Sequence, residues 1–66
     1  MQIVIGSDHA GFQLKQELIQ WLQQAGHQIN DIGSYNPDPV DFPDIAYAVC
    51  SKVREESGLR GILVCG

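Results

Sequence analysis

The stretch from residue 3 to residue 11 constrains the fold most, because it joins a buried strand directly to a polar turn. Its first three residues, Ile-Val-Ile, are β-branched and apolar, which is typical of a strand buried on both faces of a parallel sheet. A helical pattern begins directly after Gly11. Ligands of open α/β sheets bind outside the carboxyl ends of the strands. The turn, with adjacent acidic and imidazole side chains at Asp8 and His9, is therefore the first candidate functional site.

The residues of this turn exclude two familiar phosphate-binding loops. Gly6 and Gly11 have the spacing of a P-loop, but Phe12 stands where lysine is required. A dinucleotide-binding loop needs glycine where this chain has Asp8, and a carboxylate there repels a pyrophosphate. We expect an exposed turn that binds hydroxyl groups through Asp8, with His9 able to donate to a hydroxyl or to an anion. The alternative is a capped turn of solvated polar residues without a binding role.

The next segments alternate between helical and extended patterns. A helix is predicted from the turn to Gly26, and its buried stripe comprises Leu14, Leu18, Trp21, Leu22 and Ala25, with Trp21 in the core. His27, just past the end of this helix, is expected to be solvated. Residues 27–32 mix apolar and polar side chains, which predicts an edge strand. Residues 33–40 are rich in turn-forming residues, which predicts a long loop of the kind that covers a site.

A second helix is predicted from an acidic N-cap at Asp41, with proline in its first turn, to Gly58. Its buried stripe comprises Ile45, Val49 and Val53, with Ala46 and Cys50 beside them. Cys50 is interpreted as a small buried apolar residue. Residues 61–66 are predicted to form a second fully buried strand.

These elements predict an α/β fold with the order β-α-β-α-β. Right-handed crossovers favour parallel strands in the order 2-1-3, with the two helices on opposite faces of the sheet. The carboxyl ends of strands 1 and 3 then diverge at a topological switch point. We expect this point to bring Asp8, His9 and Cys65 into one crevice.

Charge and cysteine content exclude several classes of function. The net charge is −4 and only four basic residues are present, so no nucleic-acid or anionic-membrane partner is expected. No apolar run is long enough for a membrane span or a signal-peptide core, which predicts a cytoplasmic protein. The cysteines, Cys50 and Cys65, are expected to be reduced. The spacing of histidines and cysteines indicates no metal site.

Several motifs lie in register along the whole chain. They are Gly-Ser-Asp-His-Ala-Gly-Phe at residues 6–12, Leu-Lys at 14–15, Asp-Ile-Gly at 31–33, Asp-Phe-Pro-Asp at 41–44 and Arg-Gly-Ile-Leu-Val-Cys-Gly at 60–66. Together they resemble the type B ribose-5-phosphate isomerase and sugar-phosphate isomerase family. The resemblance implies a Rossmann-like α/β/α sandwich that acts on a sugar phosphate as a homodimer or tetramer, with no metal or cofactor.

The resemblance also implies a chemistry and a set of site residues. Family members interconvert ribose 5-phosphate and ribulose 5-phosphate, a step of the pentose phosphate pathway, through an enediolate. The cysteine that ends the third strand is the general base, which here is Cys65. The Asp-His pair that contacts the substrate matches Asp8 and His9, and Gly66 begins a Gly-Thr-Gly segment that binds the substrate. Phe42 stands where the family usually has tyrosine, so a hydroxyl contact is missing there.

The resemblance further implies that part of the site lies outside this sequence. In the family, a later histidine opens the sugar ring and later arginines hold the phosphate. Residues 1–66 are therefore interpreted as a single incomplete Rossmann-like domain, the amino-terminal half of an enzyme that is inactive as a fragment.

Two alternatives stay open at this point. The first is a subunit of galactose-6-phosphate isomerase, because the residues that select the sugar lie mainly outside this chain. Such heteromeric enzymes divide the catalytic residues between chains, so the presence of Asp8, His9 and Cys65 together favours the pentose enzyme. The second alternative is a non-catalytic binding module of flavodoxin-like topology, which would need a complete sheet of its own.

Overall fold

A computed structural model of the chain describes residues 1–33 and 42–65. The elements are β1 (Gln2–Ser7), α1 (Phe12–Gln24), β2 (Gln28–Asp31), α2 (Phe42–Glu55) and β3 (Leu59–Val64). The predicted β-α-β-α-β order is therefore confirmed. Three predictions fall outside the described residues. They are the loop after Gly33, the N-cap at Asp41 and the site residue Gly66.

The three strands form one parallel sheet in the order β2-β1-β3, as predicted. The central strand β1 is buried from Ile3 to its end, which explains its run of β-branched residues. Its register pairs Ile5 with Asp31 on β2 and Ser7 with Val64 on β3. The carboxyl ends of all three strands therefore lie at the same edge of the sheet.

The two helices lie on opposite faces of this sheet. α1 contacts all three strands, α2 contacts β1 and β3, and the described parts of the two helices do not touch each other. The core on the α2 face contains Val4, Val49 and Leu59, with Ile32 packed against them. Because successive side chains of a strand point to opposite faces, Ile3, Ile5 and Ser7 face α1. This is the Rossmann-like α/β/α arrangement predicted from the sequence.

The prediction for the buried face of α1 is wrong at three positions, one of which is Ala25, an exposed residue at the end of the helix. Leu14 and Trp21 are 53% and 69% exposed, although both were expected in the apolar stripe. The face that meets the sheet is rotated by about one residue and includes Lys15, which is fully buried, with Leu18 and Leu22 half-buried beside it. The rotation arises because Lys15 has an anionic partner on β2, so a charged residue takes the place that an apolar residue would normally occupy.

Two smaller predictions about side-chain exposure are also wrong. Cys50 is exposed, because it lies beside the buried Val49 at the margin of the helix face and borders an open hollow at the β3 edge. His27 is half-buried, and its Nδ1 atom has no hydrogen-bond partner among the described residues. Its backbone N–H instead donates to Leu22 O at 3.1 Å, in the turn that ends α1.

The ends of the elements agree with the sequence prediction to within two residues. Gly26 and Gly58 follow the two helices with φ of +96° and +84°, the left-handed conformation expected of glycine at these positions. β3 is not fully buried as predicted, because only Leu59 and Val64 are buried and Leu63 is 41% exposed. β3 begins at Leu59 and ends at Val64, two residues earlier than predicted at both ends. Cys65 therefore comes immediately after the strand.

Candidate active site

The turn after β1 is packed against the end of β3. Asp8 N–H donates to Val64 O at 3.2 Å, which extends the pairing of the two strands by one residue. On the other side of the turn, a Cβ atom at position 11 would lie 2.8 Å from the same carbonyl oxygen, so only glycine fits at Gly11. These contacts bring the turn that carries Asp8 and His9 next to Cys65, as the predicted strand order requires.

Asp8 has a structural role in this turn. Its Oδ1 atom accepts a hydrogen bond from Gly11 N–H at 2.7 Å, and the residue is half-buried, not exposed as expected. This bond closes the turn just before α1 begins at Phe12, whereas the N-cap of α1 is Gly11, which has no side-chain cap. Asp8 therefore stabilises the turn, and its role in binding a ligand stays a prediction.

We therefore expect Asp8→Ala to destabilise the full-length protein by about 1 kcal/mol, the usual net contribution of one hydrogen bond. Asp8→Asn is the matched variant, because its side-chain oxygen can still accept the hydrogen bond from Gly11. Urea unfolding of both variants measures the difference. Equal free energies of unfolding for Asp8→Ala, Asp8→Asn and the wild type would contradict a structural role for the carboxylate.

His9 and Cys65 are exposed at this edge of the sheet. His9 lies at the tip of the turn, where its backbone carbonyl accepts a hydrogen bond from Phe12 N–H at 3.4 Å. Cys65 is a free thiol directly after β3. An imidazole and a thiol that are both open to solvent can reach a small molecule bound over the ends of β1 and β3. Cys50, the other free thiol of the described chain, lies on α2.

The structure also contains an ion pair that the sequence analysis did not identify. Lys15 Nζ lies 2.7 Å from both carboxylate oxygens of Asp31 and 5.3 Å from the centre of the Phe12 ring. The Lys15 side chain is 0% exposed and that of Asp31 is 25% exposed. A signal was present in the sequence, since Lys15 is spaced with Leu18 and Leu22 on one helical face and Asp31 ends a strand. Lys15 and Asp31 appeared in the sequence prediction only within the Leu-Lys and Asp-Ile-Gly motifs, with no role assigned to either.

The ion pair continues into the backbone at the ends of β1 and β2. Asp31 Oδ1 accepts a hydrogen bond from Gly33 N–H at 3.1 Å, and Gly33 O accepts one from Ser7 N–H at 2.7 Å. Ser7 is fully buried, and its Oγ atom has no hydrogen-bond partner within the described part of the chain. The residue before the Asp8 turn is thus fixed from the β2 side.

The described residues contain neither a metal-binding cluster nor a membrane-spanning helix. No group of three or more histidine, cysteine, aspartate or glutamate side chains in residues 1–33 and 42–65 is arranged to hold a metal ion. Within the same ranges, neither helix has the length and apolar character needed to cross a membrane.

The fold and these side chains define a Rossmann-like α/β protein with a candidate small-molecule site at the carboxyl ends of β1 and β3. Comparison with known proteins identifies the family. The model of the family described as Ribose/Galactose Isomerase matches residues 3–66, and the chain belongs to this family. The resemblance seen in the sequence motifs is thereby confirmed.

Individual relatives agree with this assignment. The chain is 41% identical over 66 residues to a protein of Listeria innocua named ribose-5-P isomerase B, covering 100% of this chain and 45% of the relative. Among solved structures, ribose-5-phosphate isomerase B of Clostridium thermocellum superposes with a TM-score of 0.91 at 40% identity, over 100% of this chain and 45% of that one. Type B ribose 5-phosphate isomerase of Trypanosoma brucei gives a TM-score of 0.83 at 37% identity, over 98% and 45%. The chain thus spans less than half the length of these relatives.

Proposed function

We propose that the full-length protein interconverts ribose 5-phosphate and ribulose 5-phosphate. The observation that carries this proposal is the hydrogen bond from Asp8 N–H to Val64 O, because it joins the Asp-His turn to the strand that leads into Cys65. Membership of an isomerase family, and relatives named for this reaction, support the same activity.

The proposed mechanism is a proton transfer through an enediolate, with the Cys65 thiolate as the base. The thiolate removes the proton from C2 of the open-chain aldose. The electron pair left at C2 forms a C1–C2 double bond while the π bond of the C1 carbonyl breaks and its pair moves to O1, which gives the enediolate. The same group returns the proton to C1 while a hydroxyl proton moves from O2 to O1, which gives the ketose. The exposed thiol of Cys65 is accessible to a substrate for this task.

Asp8, His9 and Gly66 bind the substrate in this proposal. The carboxylate of Asp8 accepts from a sugar hydroxyl while it holds the turn through Gly11, so binding and turn geometry are coupled. His9 is exposed and can donate to a hydroxyl or to a developing negative charge. Gly66 directly follows Cys65 and begins the segment that binds the reacting carbons.

Other parts of the proposal concern the whole protein. In this proposal, the ring-opening and phosphate-binding residues lie outside residues 1–66, which cover 45% of two of the relatives. Assembly as a homodimer or tetramer and a cytoplasmic location stay predictions. So does a reaction that needs no metal or cofactor.

A second candidate function is that of a galactose-6-phosphate isomerase subunit, because the matching family includes both ribose and galactose isomerases. The two candidate substrates differ by one carbon with its hydroxyl group, and a difference of one carbon alone is typically discriminated by about tenfold or more. Family membership counts against the non-catalytic binding module.

Turnover of the two sugar phosphates by the purified full-length protein tests the proposal. Ketose formation is measured with ribose 5-phosphate and with galactose 6-phosphate under identical conditions. We expect kcat/KM to be at least about tenfold higher for ribose 5-phosphate. A preference for galactose 6-phosphate would select the second candidate, and turnover of neither sugar by the purified protein would reject the first.

A further inference from the structure

The Lys15–Asp31 ion pair lies next to the candidate site without forming part of it. A buried lysine is costly unless its charge is compensated, and both oxygens of Asp31 meet Lys15 Nζ at 2.7 Å. Apolar residues of similar volume can often replace such a pair without loss of stability. The fixed position that the pair gives to Asp31 is therefore of more interest than its contribution to stability.

Two hydrogen bonds and one peptide bond connect this carboxylate to the turn. Asp31 Oδ1 accepts from Gly33 N–H at 3.1 Å, Gly33 O accepts from Ser7 N–H at 2.7 Å, and Ser7 directly precedes Asp8. From the other end of the turn, Lys15 N–H donates to Gly11 O at 2.9 Å, and Gly11 N–H donates to Asp8 Oδ1. The contacts form a closed ring that starts and ends at Lys15 and encloses the Asp8–His9 turn.

The ring joins three elements of the fold. α1 provides Lys15, the end of β2 provides Asp31 and Gly33, and the end of β1 provides Ser7. The chain bends at Gly33, where φ is +123°, and the N–H of this residue has a side-chain hydrogen-bond partner. Asp31 Oδ1 is that partner.

We propose that Lys15 and Asp31 are positioning residues, which set the Asp8–His9 turn for substrate through Gly33 and Ser7. This inference rests on the proposed function, in which Asp8 and His9 bind the sugar phosphate. The ion pair orients the Asp31 carboxylate, Oδ1 orients Gly33, and the Gly33 carbonyl anchors the base of the turn. Loss of this anchor displaces binding groups without removing any of them.

Two double variants of the full-length protein separate this role from a purely structural one. Lys15→Met/Asp31→Asn removes both charges but keeps an oxygen that can accept from Gly33 N–H. Lys15→Met/Asp31→Leu has the same charge and a similar volume but no acceptor. We expect the asparagine variant to keep the wild-type KM for ribose 5-phosphate within about threefold, and the leucine variant to raise KM by about 10–100-fold with a smaller change in kcat. Asn30→Leu, an exposed position on β2, is the control and leaves KM unchanged.

Hydrogen exchange of the Ser7 and Gly33 amides, measured by NMR, gives a readout that does not need activity. Faster exchange at both amides in the leucine variant, but not in the asparagine variant, supports the positioning role. This support does not depend on activity: a wild type that turns over no ribose 5-phosphate would reject only the proposed function. Equal KM and equal exchange in the two double variants would overturn the proposal. If the leucine variant does not fold, Asp31→Glu replaces it, because this variant keeps the charge pair but moves the carboxylate relative to Gly33. Unchanged KM and unchanged exchange in Asp31→Glu would also overturn the proposal.

Discussion

Replacing Cys65 by alanine in the full-length protein is expected to lower kcat for ribose 5-phosphate by about 10²–10⁴-fold, the usual contribution of a general base. Cys65 is exposed after β3, so removal of its thiol leaves no cavity in the core. The free energy of unfolding should change by less than about 0.5 kcal/mol, as for other surface substitutions. Steady-state kinetics and urea unfolding together separate a catalytic loss from a loss of folded protein.

Cys50→Ala is the matched control for this experiment. Cys50 is also a free and exposed thiol, but it lies on α2, away from the ends of β1 and β3. We expect its kcat and KM to equal those of the wild type. A Cys65→Ala variant that retains more than a few per cent of wild-type kcat would contradict the assignment of Cys65 as the base, because the loss would fall below the range of a general base.

Replacing only one residue of the Lys15–Asp31 pair is expected to cause a large loss of stability. Removal of one partner of a buried ion pair typically costs about 3–5 kcal/mol, because an uncompensated charge is left behind. The two directions should differ. Lys15→Met leaves the Asp31 carboxylate, which is 25% exposed and can be hydrated, whereas Asp31→Leu leaves an ammonium group on a side chain that is 0% exposed.

We therefore expect Asp31→Leu to destabilise the protein more than Lys15→Met, and the double variant Lys15→Met/Asp31→Leu to be more stable than Asp31→Leu alone. Urea unfolding of the full-length wild type and the three variants gives the coupling energy of the pair. Losses of less than about 1 kcal/mol in both single variants would show that the pair behaves as a solvated surface ion pair. That result would contradict the burial of Lys15.

The fold could be predicted from the sequence because its strongest signals are local. The β-branched run at residues 3–5 and the glycines after both helices define the elements, and right-handed crossovers favour the strand order that the structure has. That order in turn places Asp8 and Cys65 on neighbouring strand ends. The proximity of the candidate site residues was therefore a consequence of topology, and no homologous structure was needed to predict it.

The errors concern side chains whose environment depends on distant parts of the chain. Leu14 and Trp21 fit an apolar helical stripe, but the face of α1 that meets the sheet is the one that carries Lys15. Only the position of Asp31 on β2, sixteen residues away, makes burial of that lysine favourable. Helical periodicity alone assigns lysine to the surface, so the predicted buried face of α1 is shifted toward Leu14 and Trp21.

The hydrogen bonds of the candidate site could not be predicted from the sequence for a similar reason. The residue types of the turn predicted a binding role for Asp8, but its bond to Gly11 and the link from Asp31 through Gly33 to Ser7 depend on backbone geometry. A shift of one residue in the register between β1 and β2 would separate Ser7 from Gly33. Side-chain pattern predicts which face a strand residue occupies, but not which backbone atoms meet beyond its end.

Protection of Cys65 from alkylation by ribose 5-phosphate tests the central claim most directly. The full-length protein is treated with iodoacetamide with and without the sugar phosphate, and modification of each cysteine is followed by peptide mass spectrometry alongside residual turnover. At a ligand concentration ten times Kd, we expect alkylation of Cys65 to slow by about tenfold, alkylation of Cys50 to be unchanged, and loss of turnover to follow Cys65 alone. Alkylation of Cys65 at the same rate with and without ribose 5-phosphate, or full turnover by protein alkylated at Cys65, would contradict the claim that the sugar phosphate reacts at this strand end.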